Sequence, residues 1–73
     1  MNLIAHYRRK AKSSQADLAH KLGWIKSRLG NYETGYRSPG IDEARAIAVA
    51  LSEMLGEPVT LDDLFPTDQQ DAA

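Results

Sequence analysis

The chain lacks the residues and segments that several classes of protein require. It has no cysteine among its 73 residues, so neither a disulfide nor a thiolate-bound metal can stabilise it. No apolar run approaches the roughly 18 residues of a membrane span, and residues 1–12 lack the apolar stretch of a secretory signal. A domain of this size without crosslinks depends on well-packed helices. These absences predict a single soluble domain in the cytoplasm.

The groups that catalysis or cofactor binding would need are also missing. His6 and His20 fall on separate predicted helices without a metal-ligand spacing, which favours surface positions for both. No serine is accompanied by a base and an orienting group, and no glycine-rich loop follows a strand. The sequence therefore predicts no enzymatic activity, no cofactor, no metal and no small-molecule substrate.

Charge is nearly balanced overall but unevenly distributed along the chain. The net charge is −1, yet residues 1–40 carry eight Lys or Arg and two acids, a net +6. Residues 41–73 carry one Arg and eight acids, a net −7. This asymmetry favours a basic face that binds a polyanion and an acidic half turned away from it. Two solvated surfaces of different charge would give the same pattern.

The spacing of apolar residues and the helix-capping signals predict an all-α fold. Ser14 with Asp17, and Thr60 with Asp63, have the spacing of capping boxes that begin helices. The predicted domain spans residues 1–66, and the polar residues 67–73 are expected to be a disordered tail. The predicted helices are residues 2–12, a second helix between Ser14 and Gly23, Lys26–Thr34, a long helix from Ile41 to Leu55, and residues 61–65.

The second and third predicted helices are separated only by Trp24 and Ile25, which is typical of a helix-turn-helix. On the third helix, Leu29, Tyr32 and Glu33 share one side and predict the packed face. The opposite side is expected to be exposed. Its residues are Ser27, Asn31 and Thr34, flanked by Arg28 and Gly30.

The expected exposed side of the third helix carries side chains suited to DNA. Lys26 and Arg28 can donate hydrogen bonds to guanine or phosphate. Asn31 can bind adenine through two hydrogen bonds, and Ser27 suits either a base or the backbone. A solvated helix face would carry the same residue types, so these residues alone leave both interpretations open.

The whole segment 14–39 closely resembles the Cro and repressor helix-turn-helix family of phage and bacterial regulators, which is the lambda repressor-like or XRE type. The helices before and after the segment agree, so the resemblance covers about residues 2–66. The matching residues are Gln15, Leu18, Ala19, Leu22, Gly23, Ser27, Leu29, Tyr32, Glu33, Gly35, Arg37 and Pro39.

The resemblance implies a five-helix lambda repressor-like domain whose third helix reads the major groove of double-stranded DNA. Its function would be that of a transcriptional regulator, repressor or Cro-like, in a bacterial or phage-infected cell. By position, the expected base contacts are Lys26, Ser27, Arg28 and Asn31. Gln15 and Arg37 are expected to contact phosphate, helped at Gln15 by the dipole of the second helix.

Members of this family usually bind near-palindromic operators as two-fold dimers, which implies a homodimer here. We expect the dimer interface around Pro58 to Phe65 and at the end of the fourth helix. Val59, Leu61 and Phe65 would offer more apolar surface there than a small monomer needs to expose.

Arg8 and Glu33 each lie on the apolar side of their own predicted helix, where an unpaired charge would be costly. We therefore predict that they form a structural ion pair between the first and third helices. The resemblance implies the same pair, which would fix the recognition helix without reading sequence. Asp17 is the competing partner for Arg8.

Two residues depart from the family pattern. Ile25 stands where Ser or Thr commonly caps the recognition helix, which leaves the amides there without a side-chain acceptor. An exposed Ile25 could contact a thymine methyl or a second subunit, whereas a buried one would only pack the loop. Gly30 weakens the helix by roughly 0.5–1 kcal/mol relative to alanine, and its missing side chain could allow close approach to DNA. Trp24 is expected to cover the core at the turn, the alternative being a contact with a base or a partner.

A different class of function also fits the sequence. The chain could be an antitoxin that masks a toxin with its acidic half, or an adaptor that binds only protein. Salt-dependent binding to a DNA duplex distinguishes these possibilities, because a pure protein adaptor should show little of it.

Overall fold

Five helices account for the regular structure of residues 2–66, the part of the chain that the computed structural model describes. They are α1 (Ile4–Lys10), α2 (Gln15–Leu22), α3 (Lys26–Thr34), α4 (Ile41–Leu55) and α5 (Leu61–Leu64). No strand occurs within these residues, which confirms the predicted all-α class. The predicted tail, residues 67–73, lies outside the described part.

Two helices are shorter than the sequence predicted. α1 ends at Lys10, and two residues later Lys12 adopts a left-handed conformation with φ of 57°, which no helix can accommodate. At its other end, the Asn2 carboxamide accepts the Ile4 N–H at 3.1 Å and donates to the Tyr32 carbonyl at 2.7 Å. Asn2 therefore precedes the helix and links it to α3. α5 ends at Leu64 rather than at residue 65.

Both predicted capping boxes are confirmed. The Ser14 hydroxyl accepts the Asp17 N–H at 3.0 Å, and the Asp17 carboxylate accepts the Ser14 N–H at 3.1 Å. The same two bonds join Thr60 and Asp63, at 3.1 and 2.9 Å. These bonds satisfy amides that have no partner inside the helix, and so they fix where α2 and α5 begin.

The core is formed where α4 crosses the other helices, and every helix contributes to it. α4 supplies two fully buried side chains, and each of the others supplies one. Burying an aliphatic side chain of this size contributes roughly 1.5–3 kcal/mol, so this cluster is the main source of stability. Its fully buried members are Ile4, Leu18, Leu29, Ile47, Leu51 and Leu64.

Candidate nucleic-acid interface

A tight turn of three residues joins α2 to α3. Gly23 adopts the left-handed conformation, with φ of 75°, that ends α2. The N–H groups of Gly23 and Trp24 then donate to carbonyls of the last turn of α2, at 3.1 and 2.9 Å. The half-buried Trp24 ring packs on the core and meets the Tyr32 ring edge to face, with centroids 5.6 Å apart. The start of α3 is therefore held firmly against α2, as the helix-turn-helix pattern predicted.

The two sides of α3 differ as the helical spacing predicted. Leu29 and Tyr32 are buried, whereas Lys26 and Ser27 are exposed and Asn31 is half-buried at the edge of the packed side. Within residues 2–66, the side chains of Lys26, Ser27 and Asn31 take part in no hydrogen bond, and the Thr34 hydroxyl donates to the Asn31 backbone carbonyl rather than to its side chain. Their donors are therefore open to a ligand. They form, along the exposed side of the first two turns of α3, a polar surface that bears a positive charge.

Arg28, the fourth predicted base contact, does not join that surface. Its guanidinium lies over the Trp24 ring, 4.3 Å from the ring centroid. One of its nitrogens approaches a Glu43 carboxylate oxygen at 3.4 Å, and Nε lies 3.5 Å from the Tyr32 hydroxyl. The side chain is thus turned toward α4, and reaching a base would require it to leave these partners.

The Glu33 carboxylate is almost fully buried, with 4% of the side chain exposed, and three donors surround it. Arg8 donates to it from Nε at 2.7 Å and from Nη2 at 3.2 Å. Gln15 donates from Nε2 at 2.9 Å, and the remaining Arg8 nitrogen donates to the Ser13 carbonyl at 2.9 Å. The structure therefore brings Arg8 and Glu33 together, while Asp17 is occupied by its cap. This network ties α1, α2 and α3 to one another.

Gln15, the predicted phosphate contact, lies between α2 and α3. Its amide is 3.7 Å from the point where a side chain on Gly30 would begin. One Nε2 hydrogen is donated to Glu33, and the second remains available. The small residue at position 30 therefore leaves the Gln15 amide uncovered on the outer side of the motif.

The loop after α3 adds Arg37 and a residue that the sequence analysis did not single out. The Arg37 N–H donates to the Asn31 carbonyl at 3.1 Å, which fixes the loop against α3 and leaves the Arg37 side chain exposed. Tyr36, immediately before it, is 79% exposed. In the sequence, Tyr36 stands between Gly35, which ends α3, and the loop residue Arg37. No neighbouring apolar residue continues a buried helix face there, and this pattern is the signal that could have indicated an exposed tyrosine. Ile25 is 71% exposed and gives α3 no side-chain cap.

The expected dimer residues are less exposed than the sequence suggested. Val59 belongs to the core and is only 6% exposed, so the expectation that it offers free surface is wrong. The segment after α4 folds back onto that helix, and the Val59 N–H donates to the Ser52 hydroxyl at 2.8 Å. Leu61 and Phe65 are half-buried against the core. Both border a groove of about 410 Å³, which is also lined by Arg37, Pro39, Ile41 and Asp62.

The remaining observations concern the Asp17 carboxylate, groups that could bind a metal ion, and helices that could span a membrane. The pKa of Asp17 lies below its ordinary value of 3.8, mainly because the Ser14 backbone N–H and then its hydroxyl side chain bond to the carboxylate. Within residues 2–66, no three carboxylate or imidazole groups are placed to hold a metal ion. None of the described helices is long and apolar enough to cross a membrane.

The tight α2–α3 turn and the open polar face of α3 define a DNA-binding helix-turn-helix module. A family model described as helix-turn-helix matches residues 4–58, which is most of the chain. The chain belongs to this family, whose members are lambda repressor-like, XRE-type DNA-binding regulators. No curated protein and no solved structure gives a significant match to the chain.

Proposed function

We propose that this protein is a sequence-specific regulator of transcription that inserts the exposed side of α3 into the major groove of an operator. The observation that carries the proposal is the set of unengaged donors on Lys26, Ser27 and Asn31 at the exposed end of a helix-turn-helix. A helix fits the major groove, and side chains near its N-terminus reach the base edges. Occupying an operator in this way would block or tune transcription in a bacterial or phage-infected cell.

Each of the three side chains suits a different contact. Asn31 can bind adenine with two hydrogen bonds, since its amide has both a donor and an acceptor free. Lys26 suits guanine or a phosphate, and Ser27 suits either a base or the sugar-phosphate backbone. Arg28 is the remaining candidate for base contact, but the contacts of its guanidinium with Trp24, Tyr32 and Glu43 favour a different role.

Three residues surround this surface and suit the phosphate backbone. Gln15 retains one free Nε2 hydrogen beside the N-terminus of α2, where the helix dipole favours an anion. The exposed Arg37 side chain follows α3 in the chain. We add Tyr36 to this set, because its exposed hydroxyl stands next to Arg37 and tyrosine hydroxyls are common donors to phosphate.

We further propose that the protein binds a near-palindromic site as a homodimer, with half-sites about 34 Å or a multiple of that apart. The groove beside α5 supports this arrangement, because it combines the 57% exposed Ile41 with the half-buried Leu61 and Phe65. Arg37 and Asp62 line the same groove. Opposite charges on a single surface allow two copies related by a two-fold axis to complement each other.

Selection of bound duplexes from a random pool tests the proposal. We expect an enriched inverted repeat, whose affinity falls with a slope of about 0.9 per phosphate neutralised as log salt rises. Lys26→Ala removes one of the proposed donors to DNA, and this variant should bind the selected site more weakly than the natural protein does. If no sequence is enriched and binding is weak at every salt concentration, the antitoxin or protein-adaptor function replaces this one.

A further inference from the structure

α3 carries few of the features that stabilise a short helix. It has nine residues, its N-cap residue Ile25 provides no side-chain acceptor, and Gly30 stands near its middle. No acid lies in its first turn and no base in its last, so no charged side chain complements the helix dipole there. A helix of this length is not stable in isolation. The rest of the molecule must therefore order the helix that carries the proposed reading surface.

Arg28 lies where the turn, α3 and α4 meet. Trp24 and Tyr32 are each four residues away, Trp24 in the turn before α3 and Tyr32 one helical turn after Arg28, and the guanidinium lies over both rings. Its central carbon is 4.3 Å from the Trp24 centroid and 6.0 Å from the Tyr32 centroid. Contacts of this kind combine cation–π attraction with stacking of a flat group on a ring. A single side chain thus spans the beginning of α3 and its second turn.

Glu43 anchors the other side of the same guanidinium. Its carboxylate approaches Arg28 Nη2 at 3.4 Å from the first turn of α4. The carboxylate also folds back toward Gly40, where a Cβ atom would come within 2.7 Å of its oxygen. The absence of a side chain at position 40 gives Glu43 this room. Arg28 is therefore connected both to the turn before α3 and to the helix that forms the core.

We propose that Arg28 is a positioning residue for DNA recognition, which holds α3 in the orientation that presents Lys26, Ser27 and Asn31 and makes no bond to DNA itself. This inference rests on the proposed function. Its structural basis is that two guanidinium nitrogens, Nε and Nη2, face Tyr32 and Glu43, while the group lies over the Trp24 ring. Arg28 acts through the helix that it holds.

The salt dependence of binding separates this role from a direct contact. Arg28→Ala should weaken binding to the selected duplex by about tenfold, through the lost stack and ion pair, with the salt slope unchanged. Loss of a phosphate contact would lower the slope by about 0.9, and loss of a base contact would relax preference at one position.

Arg28→Lys should resemble Arg28→Ala, because an ammonium group keeps the charge but cannot stack as a plane. Arg45→Ala, an exposed arginine of α4, is the matched control and should leave affinity unchanged.

A second substitution that strengthens α3 by another route provides a rescue test. Ile25→Ser supplies the missing side-chain acceptor at the N-cap. In the otherwise natural chain it should change affinity little, because α3 is already ordered. Combined with Arg28→Ala it should restore most of the lost affinity, since the fraction of molecules with an ordered α3 rises again. If the two effects simply add, the proposal is wrong, because a lost DNA contact cannot be restored by a helix cap.

Measurements without DNA test the ordering step independently. The chain has one tryptophan and three tyrosines, so fluorescence excited at the red edge reports on Trp24, and near-ultraviolet circular dichroism reports on Trp24 together with the tyrosines. We expect both spectra to change in Arg28→Ala and Arg28→Lys, together with faster hydrogen exchange confined to α3, and to stay unchanged in Arg45→Ala. Unchanged exchange in α3 overturns the proposal, as does a reduced salt slope. If the natural protein binds no duplex, the proposed function fails, whereas hydrogen exchange in α3 still decides whether Arg28 orders the helix, and the Trp24 spectra report only that the contact with Arg28 is lost.

Discussion

Asn31 lies at the edge between the packed and exposed sides of α3, and its carboxamide has no partner among residues 2–66. We expect Asn31→Ala to weaken binding to the selected operator by roughly 1–3 kcal/mol and to relax preference at one base position, because a bidentate contact to adenine is lost. Binding is measured on the operator and on each single-base variant of it.

The control for Asn31 is Gln15→Ala, which removes the proposed phosphate donor on the neighbouring helix. It should weaken binding to the operator and to a scrambled duplex by the same factor, because phosphate contacts carry no sequence information. Equal losses on both duplexes for Asn31→Ala as well would contradict the assignment of Asn31 to base recognition.

The buried ion pair of Arg8 and Glu33 predicts a large effect on stability. The Glu33 side chain is 4% exposed in the natural protein, and Arg8→Ala leaves Gln15 as its remaining donor, so the free energy of unfolding should fall by about 3 kcal/mol. Denaturant unfolding measures the change. The double variant Arg8→Met with Glu33→Leu should recover much of the loss, because apolar residues of similar volume need no partner. An unchanged midpoint for Arg8→Ala would mean that water reaches the carboxylate.

At the scale of single residues, periodicity predicted which side chains face inward but not what each polar group touches. The placement of Arg8 and Glu33 on apolar helix sides was enough to expect their pairing. The direction of Arg28 could not be predicted, because it depends on Trp24 and Glu43 meeting in space from different elements. The exposure of Val59 was wrongly predicted for a similar reason, since only the tertiary fold shows that its loop returns to α4.

Among the helices, those with local end signals were predicted most accurately. α2, α3 and α4 end at glycines and have the predicted limits, because a left-handed glycine is a local property of the chain. The end of α1 has no such residue. Its last turn is set by the left-handed Lys12 and by the bond from Arg8 to the Ser13 carbonyl, which depends on the Glu33 network. Tertiary contacts therefore decided the limits that the sequence left open.

The cap of α2 predicts a pH dependence of stability. The Ser14 bonds lower the pKa of Asp17 from its ordinary value of 3.8, so folding favours the carboxylate form. The stability that this carboxylate contributes is fully present above pH 3.8, the ordinary pKa of the group. It is lost as the pH falls from 3.8 through the lower pKa of Asp17 in the folded state. Asp17→Asn removes this titration and should show a smaller loss of stability in that range, measured by thermal unfolding at a series of pH values. Parallel curves for the two proteins would show that the cap does not contribute to acid sensitivity.

Over the whole molecule, the charge asymmetry of the sequence is partly neutralised by folding. Three basic residues of the first forty pair with acids from the second half, with Lys10 on Glu57, Lys21 on Glu53 and Arg28 on Glu43. Each pair is partly exposed and worth at most about 1 kcal/mol, so their main effect is on the surface potential. The sequence predicted an acidic half turned away from the basic half, whereas these pairs place several acids beside basic side chains. The exposed cations outside these pairs include Arg9, Lys12, Lys26 and Arg37.

The proposed dimer depends on the groove beside α5, and Ile41 allows a test that preserves the fold. Ile41 is the first residue of α4, where an acidic side chain complements the helix dipole, so Ile41→Glu should not destabilise the monomer. It places a charged side chain among the apolar residues of the groove and should shift the protein to monomers in sedimentation velocity. Affinity for the inverted repeat should fall by at least about tenfold, while binding to an isolated half-site is retained.

The matched control for Ile41 is Val49→Glu, because Val49 is equally exposed on α4 but borders a different groove, between α2 and α4. This variant should remain dimeric and bind the inverted repeat with the affinity of the natural protein. If Val49→Glu separates the subunits and Ile41→Glu does not, the two copies meet through the side of α4 that faces α2. If neither variant changes the oligomeric state of a dimeric protein, the apolar surface of α4 is not the interface. Dimerisation would then have to involve exposed residues such as Tyr36 or Leu3, at the ends of the other helices.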